Sequence, residues 1–283
     1  MALDGYPTIS TRTEAGVLVV TLANPPVNVL SATMMRDLRD LLTEVRDDPA
    51  IKVIVFESGD AEFFLAHVDM RILDEKETFE DLVASAPAGL NVFQAVGELV
   101  RHQPQITIVK LAGIARGGGA EFVAAADMSF AALETARIGQ IEALMGIIPA
   151  GGGTQYLRER IGRSRALEAI LAGDSVDAAT AAAYGWINRA IPAKELDEYV
   201  ARLARDIAAL ADGVVAAVKR ALPPADHGAA LVVEDEVGMA LLNPAAFELM
   251  GAALTAGAQT PAGERELEAL MRSVRSGTGR FTA

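Results

Sequence analysis

Two glutamates in different settings are the strongest candidates for chemistry in this sequence. Glu121 follows the glycine run 117–119 and precedes the apolar residues 122–126. A carboxylate in such a helix is expected to be partly buried, and burial raises its pKa toward the range in which a general base or acid works. Glu142 follows residues 139–141 and belongs to a different predicted element. Together the two carboxyl groups could hold one water molecule, although each alone also fits a solvent-exposed position.

The glycine run beside Glu121 could bind an anionic group. A strand is predicted over residues 105–111 and a helix after the glycines, so the amides of Gly117, Gly118 and Gly119 would lie at a helix N-terminus. Unpaired amides there can face a phosphate or a developing oxyanion. A glycine turn that only packs a strand against a helix fits the same residues. The run lacks the lysine and hydroxyl of the Walker loop and the spacing of the dinucleotide fingerprint.

A third segment, residues 63–71, is apolar except where His67 and Asp69 interrupt it. By itself it indicates no role, because a lone histidine is more often a local hydrogen-bonding group than a ligand. The chain contains three histidines and no cysteine. Disulfides, thiolate catalysis and zinc–cysteine sites are therefore excluded, and few positions remain for a multi-histidine site.

Alternating strands and helices must position these residues. Strands are predicted at 16–22, 52–57, 105–111, 128–131 and 136–139, and helices at 31–45, 87–102, from 120, after 153 and from 164. Residues 59–68 are predicted as a loop and 74–81 as a mobile acidic stretch. The alternation predicts an α/β fold with a partly parallel sheet. From Ala193 the helical period dominates, so we predict a core over 1–195 and a helical region over 196–283.

Composition narrows the class of protein. The 283 residues are 51% hydrophobic and 22% charged, which is a globular composition. The 38 acidic and 25 basic residues give a formal net charge of −13, which disfavours nucleic-acid and membrane-surface partners. The sequence shows neither a secretory signal pattern nor a run of about 18 apolar residues. A cytoplasmic location is therefore expected.

In this order, the segments resemble the crotonase superfamily, the enoyl-CoA hydratase/isomerase family. The resemblance covers most of residues 10–200. The matching segments are Pro26–Ser31, Gly117–Asp127, Gly139–Glu142, Gly146–Gln155, Leu171–Asp174 and Ala181–Gly185. The resemblance implies a spiral of ββα repeats with a helical C-terminal trimerisation region, and trimers that often pair into hexamers. It also implies acyl-CoA thioester substrates, with no metal and no redox cofactor, since coenzyme A is part of the substrate.

The same resemblance implies roles for individual residues. The amides of Val68 and Gly118 would form an oxyanion hole that polarises the thioester carbonyl. Glu121 would activate water and Glu142 would donate a proton. Five further residues would contact the substrate or its CoA portion: Ala66, His67, Asp69, Met70 and Arg71.

Both glutamates are present, which favours a hydratase that adds water reversibly, in syn fashion, to a trans-2-enoyl-CoA and gives a 3-hydroxyacyl-CoA. The alternatives are an enoyl-CoA isomerase or another enolate reaction, and a non-catalytic member that binds acyl-CoA or protein. An RNA-binding member is disfavoured by the negative charge.

The sequence departs from the family pattern in three places. His67 stands where the family has glycine, so it could point toward the acyl chain or CoA, or face a neighbouring residue. Ile141 stands where proline is common. The segment 260–275 matches the C-terminal signature poorly, so CoA contacts from that end are not assigned.

Overall fold

The structure is a computed structural model that describes residues 3, 5–73 and 76–277. Its strands are β1 (Ile9–Glu14), β2 (Val17–Leu22), β3 (Val53–Ser58), β4 (Phe63–Leu65), β5 (Ile106–Leu111), β6 (Ile114–Arg116), β7 (Met128–Ala132), β8 (Arg137–Gly139), β9 (Ser175–Asp177) and β10 (Arg189–Ile191). Its helices are α1 (Ala32–Val45), α2 (Glu80–Ser85), α3 (Val92–Arg101), α4 (Gly118–Ala125), α5 (Gly153–Ala172), α6 (Ala178–Tyr184), α7 (Ala193–Ala208), α8 (Val214–Ala221), α9 (Gly228–Leu241), α10 (Pro244–Thr255), α11 (Pro261–Arg265) and α12 (Leu267–Gly277). Short 3-10 turns are Met70–Leu73, Lys76–Phe79 and Glu142–Met145.

The strands form two sheets. The larger has the order β1-β2-β3-β5-β7-β10 and the smaller has the order β4-β6-β8-β9. All neighbouring strands are parallel except the antiparallel pairs β1/β2 and β8/β9. The pairs β3/β4, β5/β6 and β7/β8 each give one strand to each sheet, and a helix follows each pair. The α/β spiral of ββα repeats is therefore confirmed.

The centre of the larger sheet is buried on both faces, which explains the sequence of its central strand β3. Val53, Ile54, Val55 and Phe56 of β3 are at most 4% exposed. A central parallel strand needs apolar residues in every position, so this strand shows no polar alternation. Each such side chain contributes roughly 1.5–3 kcal/mol when fully buried.

Local capping signals set the helix boundaries. The Ser31 side chain accepts a hydrogen bond from the Met34 amide and begins α1, as predicted. The helix predicted from residue 87 begins later, at Val92, because Asn91 caps it and forms a capping box with Gln94. Gly162, with φ of +77°, breaks α5 internally, which agrees with the predicted second helix near residue 164.

The prediction of a loop over residues 59–68 is wrong in part. Phe63–Leu65 form β4, whose three side chains are at most 1% exposed. The strand is too short for a periodic signal. Of the stretch 74–81, residues 74 and 75 lie outside the described residues. Residues 76–79 form a 3-10 turn and α2 follows.

The chain after Ala193 is helical, as predicted, and part of it packs against the loops that carry the candidate residues. Met70 and Met145 share an apolar cluster with Met250, Leu267 and Met271 of the C-terminal helices. In the described part of the chain, no single helix is long and apolar enough to cross a membrane. Only α9 and α10, bent by 77° relative to each other, reach that length and composition as a pair.

Candidate active site

The candidate residues follow the ends of three neighbouring parallel strands. Val68 follows β4, Gly118 follows β6 and Glu142 follows β8. The carboxyl ends of adjacent parallel strands meet at one edge of a sheet, where ligand sites form. The spiral topology thus brings together residues that are distant in sequence, and Glu121 joins them from the first turn of α4.

Two backbone amides at this edge have no acceptor among the described residues. The Leu30 amide donates to the His67 carbonyl (2.8 Å) and the Asp69 amide donates to the Leu30 carbonyl (3.1 Å). The Val68 amide between them donates to no described residue, and neither does the amide of Gly118. A Cβ on Gly118 would lie 2.5 Å from the Val68 Cγ2 and 3.7 Å from the Val68 nitrogen, so the two residues are close neighbours. Two such amides can both donate to one oxygen.

Glu121 is 5% exposed, and one of its two carboxyl oxygens accepts the hydrogen bonds that hold the side chain in place. Its Oε1 accepts hydrogen bonds from the amides of Gly151 (2.8 Å) and Gly153 (2.9 Å). No described residue donates to Oε2. Burial, followed by the nearby Glu234 carboxylate, raises the pKa of Glu121 to about 8. The group can therefore exchange a proton near neutral pH.

Glu142 is 7% exposed and begins a 3-10 turn. In the orientation that satisfies both groups, the Gln140 side-chain amide donates to both Glu142 oxygens (3.1 and 3.0 Å). Burial, followed by the nearby Glu121, raises the pKa of Glu142 well above its ordinary value. Gly117 has φ of +48°, and a Cβ there would lie 2.9 Å from the Glu142 Oε1. Ile141, the departure from the family pattern, is fully buried.

A third buried carboxylate, Glu234 of α9, lies beside the loop that holds Glu121. It accepts hydrogen bonds from the amides of Gly152 (2.6 Å) and Thr154 (3.0 Å) and from the Gln94 side chain (3.1 Å). The Thr154 hydroxyl also donates to it. Burial raises the pKa of Glu234 as well.

A cavity of about 390 Å³ connects the two amides with the two carboxyl groups. Val68, Gly118, Glu121 and Glu142 all line it. Most of the remaining wall is apolar, and larger side chains in it include Met70, Phe79, Phe93, Ile148, Met239 and Leu242. Such a cavity suits a carbonyl group joined to an apolar chain.

His67 faces a neighbouring residue, which is one of the two orientations that the sequence leaves open. Its Nε2 lies 3.0 Å from the Glu264 Oε1 and its Nδ1 lies 2.6 Å from the Val68 carbonyl oxygen. The His67 and Glu264 side chains are 3% and 0% exposed. Burial alone would lower the pKa of His67, but the Glu264 carboxylate raises it above its ordinary value. Both ring nitrogens are thus occupied by protein groups.

Asp69 and Met70 are held by Gln259, which precedes α11. The Gln259 side chain accepts a hydrogen bond from the Met70 amide (2.8 Å) and donates to the Asp69 carboxylate (2.9 Å). His67, Asp69 and Met70 line the cavity. Ala66 is fully buried and Arg71 is exposed, and neither of them lines it.

Arg116 ties the glycine run to the C-terminal helices. It is 1% exposed and forms two hydrogen bonds with the Glu268 carboxylate (2.8 and 2.9 Å). It also donates to the Glu264 carbonyl (2.9 Å). A bidentate arginine–carboxylate pair fixes orientation as well as distance. The residues just before Gly118 are therefore anchored in α11 and α12.

Sequence reasoning missed Glu234, Glu264 and the role of Arg116. A signal for Glu234 was available, because the apolar residues 229–233 precede it much as apolar residues follow Glu121. For Glu264 and Arg116 no local pattern exists, since their partners are distant in sequence. Among residues 3, 5–73 and 76–277, no group of three or more histidine, aspartate or glutamate side chains is arranged to hold a metal ion.

Several known proteins with similar sequences or structures are described as enoyl-CoA hydratases. A family model described as enoyl-CoA hydratase/isomerase matches residues 12–235. "Probable enoyl-CoA hydratase echA8" of Mycobacterium bovis is 34% identical over 192 residues, which are 68% of this chain and 71% of that protein. "Carnitinyl-CoA dehydratase" of Proteus mirabilis is 31% identical over 73% of this chain and 77% of its own. A crystal structure of a "putative enoyl-CoA hydratase" from Streptomyces avermitilis has a TM-score of 0.95 and 64% identity. It covers 96% of this chain and 100% of its own.

Proposed function

This chain belongs to the enoyl-CoA hydratase/isomerase family, and from that premise we propose that it adds water reversibly, in syn fashion, to a trans-2-enoyl-CoA. The product is a 3-hydroxyacyl-CoA. One observation carries the proposal: two unpaired amides and two buried carboxyl groups with raised pKa values line the same cavity.

The amides of Val68 and Gly118 bind the thioester carbonyl oxygen. As water adds to C3 of the substrate, negative charge develops on this oxygen and an enolate forms. Each donor aimed at that charge in a water-poor cavity is worth about 3 kcal/mol in the transition state. Gly118 also stands at the N-terminus of α4, where the helix dipole favours negative charge.

Glu121 and Glu142 exchange the protons. The ionised Glu121 takes a proton from water while the water oxygen bonds to C3, and the protonated Glu142 gives its proton to C2 of the enolate. Hydrogen and hydroxyl are thus added across the double bond, and proton exchange with solvent restores both carboxyl groups. The raised pKa of Glu142 favours its protonated form, while a pKa of about 8 lets Glu121 exchange a proton near neutrality.

A hydration assay with crotonyl-CoA tests the proposal. Loss of the conjugated enoyl-thioester absorbance is expected with the unaltered protein, together with a 3-hydroxyacyl product by mass spectrometry. Glu121→Gln should abolish most of the turnover, while Glu198→Gln, an exposed glutamate on α7, serves as the matched control. Full turnover in Glu121→Gln would remove that residue from the mechanism. A shifted double bond in place of a hydroxyl would identify an isomerase.

We also propose that the chain forms trimers, or hexamers of paired trimers, through its C-terminal helices. α8 buries none of its residues. Val214 and Val218 of α8 and Val232, Val233 and Val237 of α9 are between 39% and 57% exposed. Contact with another copy would remove these apolar side chains from water. Sedimentation velocity should give three or six times the mass of one chain, and a monomer at micromolar concentration would contradict the proposal.

A further inference from the structure

Four consecutive amides at the start of α5 are shared between two buried glutamates. Glu121 accepts hydrogen bonds from residues 151 and 153, and Glu234 accepts them from residues 152 and 154. The α5 N-terminus thus lies between the two carboxyl groups, and successive amides point to opposite sides. Each carboxylate fixes the loop on which the other one depends.

The two carboxyl groups differ in how completely they are satisfied. Glu234 has four donors, since the Thr154 hydroxyl and the Gln94 side chain add to the two amides. Glu121 has two donors, both on Oε1, and it lines the cavity. Hydrogen bonds to a carboxylate favour its charged form. Although burial raises the pKa of Glu234 as well, its four donors make it the better suited of the two to hold a negative charge, and Glu121 is the group suited to exchange a proton.

The surroundings do not neutralise this charge. Among the titratable groups on the elements packed around the pair are Glu142, Asp235, Tyr156, Glu98 and Arg101. Asp235 accepts a hydrogen bond from Asn91, and Tyr156 donates to Glu98. Arg101 pairs with Glu98 and Glu159. In the described part of the chain, no lysine or arginine forms an ion pair with Glu121, Glu142 or Glu234.

We propose that Glu234 is a positioning residue for the hydration: it fixes the 151–154 loop so that the Oε2 of Glu121 is free for water, and its charge sets the pH range over which Glu121 exchanges a proton. This inference rests on the proposed function. Its physical basis is the like charge of two carboxylates at one helix N-terminus, since each disfavours ionisation of the other. The raised pKa of Glu121, with burial as the first cause and Glu234 as the second, agrees with it.

Substitution of Glu234 by glutamine tests the inference. Glutamine keeps the shape and removes the charge, so the acidic limb of the kcat/KM profile should move to lower pH by about one pH unit. Glu236→Gln removes the same charge from the exposed face of α9 and should leave the limb in place. The proposal would be overturned if the acidic limb of the kcat/KM profile lay at the same pH in Glu234→Gln, Glu236→Gln and the unaltered protein.

A measurement on the unaltered protein keeps the test independent of activity and of the folding of Glu234→Gln. NMR titration with isotope-labelled glutamate carboxyl carbons follows Glu121 directly, and the spectrum of Glu121→Gln assigns its signal. Coupled groups titrate together, so the Glu121 signal should show a second inflection where Glu234 titrates. A single inflection unrelated to Glu234 would overturn the inference. If crotonyl-CoA and longer enoyl thioesters are not hydrated but the second inflection appears, the proposed function fails while the coupling stands.

Discussion

His67 and Glu264 form a buried pair that joins the loop after β4 to α11. The His67 Nε2 lies 3.0 Å from the Glu264 Oε1, and neither side chain is more than 3% exposed. The other ring nitrogen of His67 lies 2.6 Å from the carbonyl of Val68, whose amide has no acceptor in the described chain. The histidine that replaces the glycine of the family pattern is therefore part of a contact with the C-terminal helices, and this contact holds the proposed oxyanion loop.

Removal of one member of this pair should cost more than half of the stability that is lost when both members are removed. His67→Gln and Glu264→Gln should each lower the free energy of unfolding by about 3 kcal/mol, because each leaves a buried polar partner without its counterpart. The double variant should lose less than the sum of the two. Urea denaturation of the four proteins measures this coupling. Strictly additive losses would show that the pair contributes no interaction of its own.

The contribution of the pair should also depend on pH. The pKa of His67 is raised above 6.5, so its contribution is complete below pH 6.5 and is lost as the pH rises through the folded-state value. Although burial opposes it, the pKa of Glu264 is lowered below 4.5 by His67 and other donors, so its contribution is lost only as the pH falls through that lower value. The stability difference between the unaltered protein and His67→Gln should be largest between about pH 4.5 and 6.5. A stability difference that does not decline as the pH rises above 6.5 would contradict this assignment.

Glu121→Gln should lose activity and gain stability. The folded-state pKa of Glu121 is about 8 against an ordinary value of 4.5, so ionisation of the buried group opposes folding increasingly as the pH rises. Near pH 4.5 both side chains are neutral and the two proteins should be equally stable. Above about pH 8 the variant should be more stable by up to about 5 kcal/mol, the free energy that corresponds to the difference between a pKa of 4.5 and one of about 8. Thermal melts across this pH range measure the effect, with Glu198→Gln as the control. A variant that is less stable at alkaline pH would show that Glu121 is stabilised as an anion.

Gly118→Ala should disrupt the proposed oxyanion site. The added Cβ would lie 2.5 Å from the Val68 Cγ2, so the Val68 side chain or one of the two amides must move. Loss of one donor predicts a fall in kcat of about 100–1000-fold. A Cβ on Gly251 of α10 would have no atom of the described residues within 4 Å, so Gly251→Ala is the control and should stabilise α10 slightly. Steady-state kinetics on both variants measure the difference, and a normal kcat in Gly118→Ala would move the oxyanion site elsewhere.

The elements around the site could be predicted from local patterns to different degrees. The strand over 17–22 and the helix from Ala32 carry strong apolar periodicity and a serine cap, and both lie where predicted. β4 was missed because a three-residue buried strand has no period to detect. Its pairing with β6 depends on the spiral, which local sequence does not encode.

In the candidate site too, some residues have a local sequence pattern that identifies them, and others depend on contacts that only the fold creates. Glu121 and Glu142 stand out because each is an isolated carboxylate beside glycines and apolar residues. From the residues alone, a shared water between them was only one possibility; their position at one cavity follows from adjacent strands that local sequence does not show. The contacts of Glu264 and Gln259 connect residues almost 200 positions apart, as the separation of 197 between His67 and Glu264 illustrates. Such contacts require the packed C-terminal helices.

Gly238 of α9 offers a test of which part of the cavity receives the acyl chain. A Cβ at this position would lie 3.4 Å from the Ala150 Cβ and 3.8 Å from the Ile148 Cγ1, which are ordinary contact distances. Gly238→Ala should therefore fold normally, whereas the longer side chain of Gly238→Leu should fill part of the apolar cavity. For Gly238→Leu, kcat/KM should fall by about tenfold or more with medium-chain enoyl thioesters and change little with crotonyl-CoA.

Assays over a series of chain lengths measure this discrimination, with Gly238→Ala as the smaller step on the same backbone. The loss should appear mainly in KM, because the substituted wall is remote from the proton-transferring groups and removes binding that ground state and transition state share. An equal loss for short and medium chains would mean that α9 does not border the acyl chain. In that case the α9 wall would act on the common part of the substrate, and the acyl chain would have to lie along another part of the cavity wall.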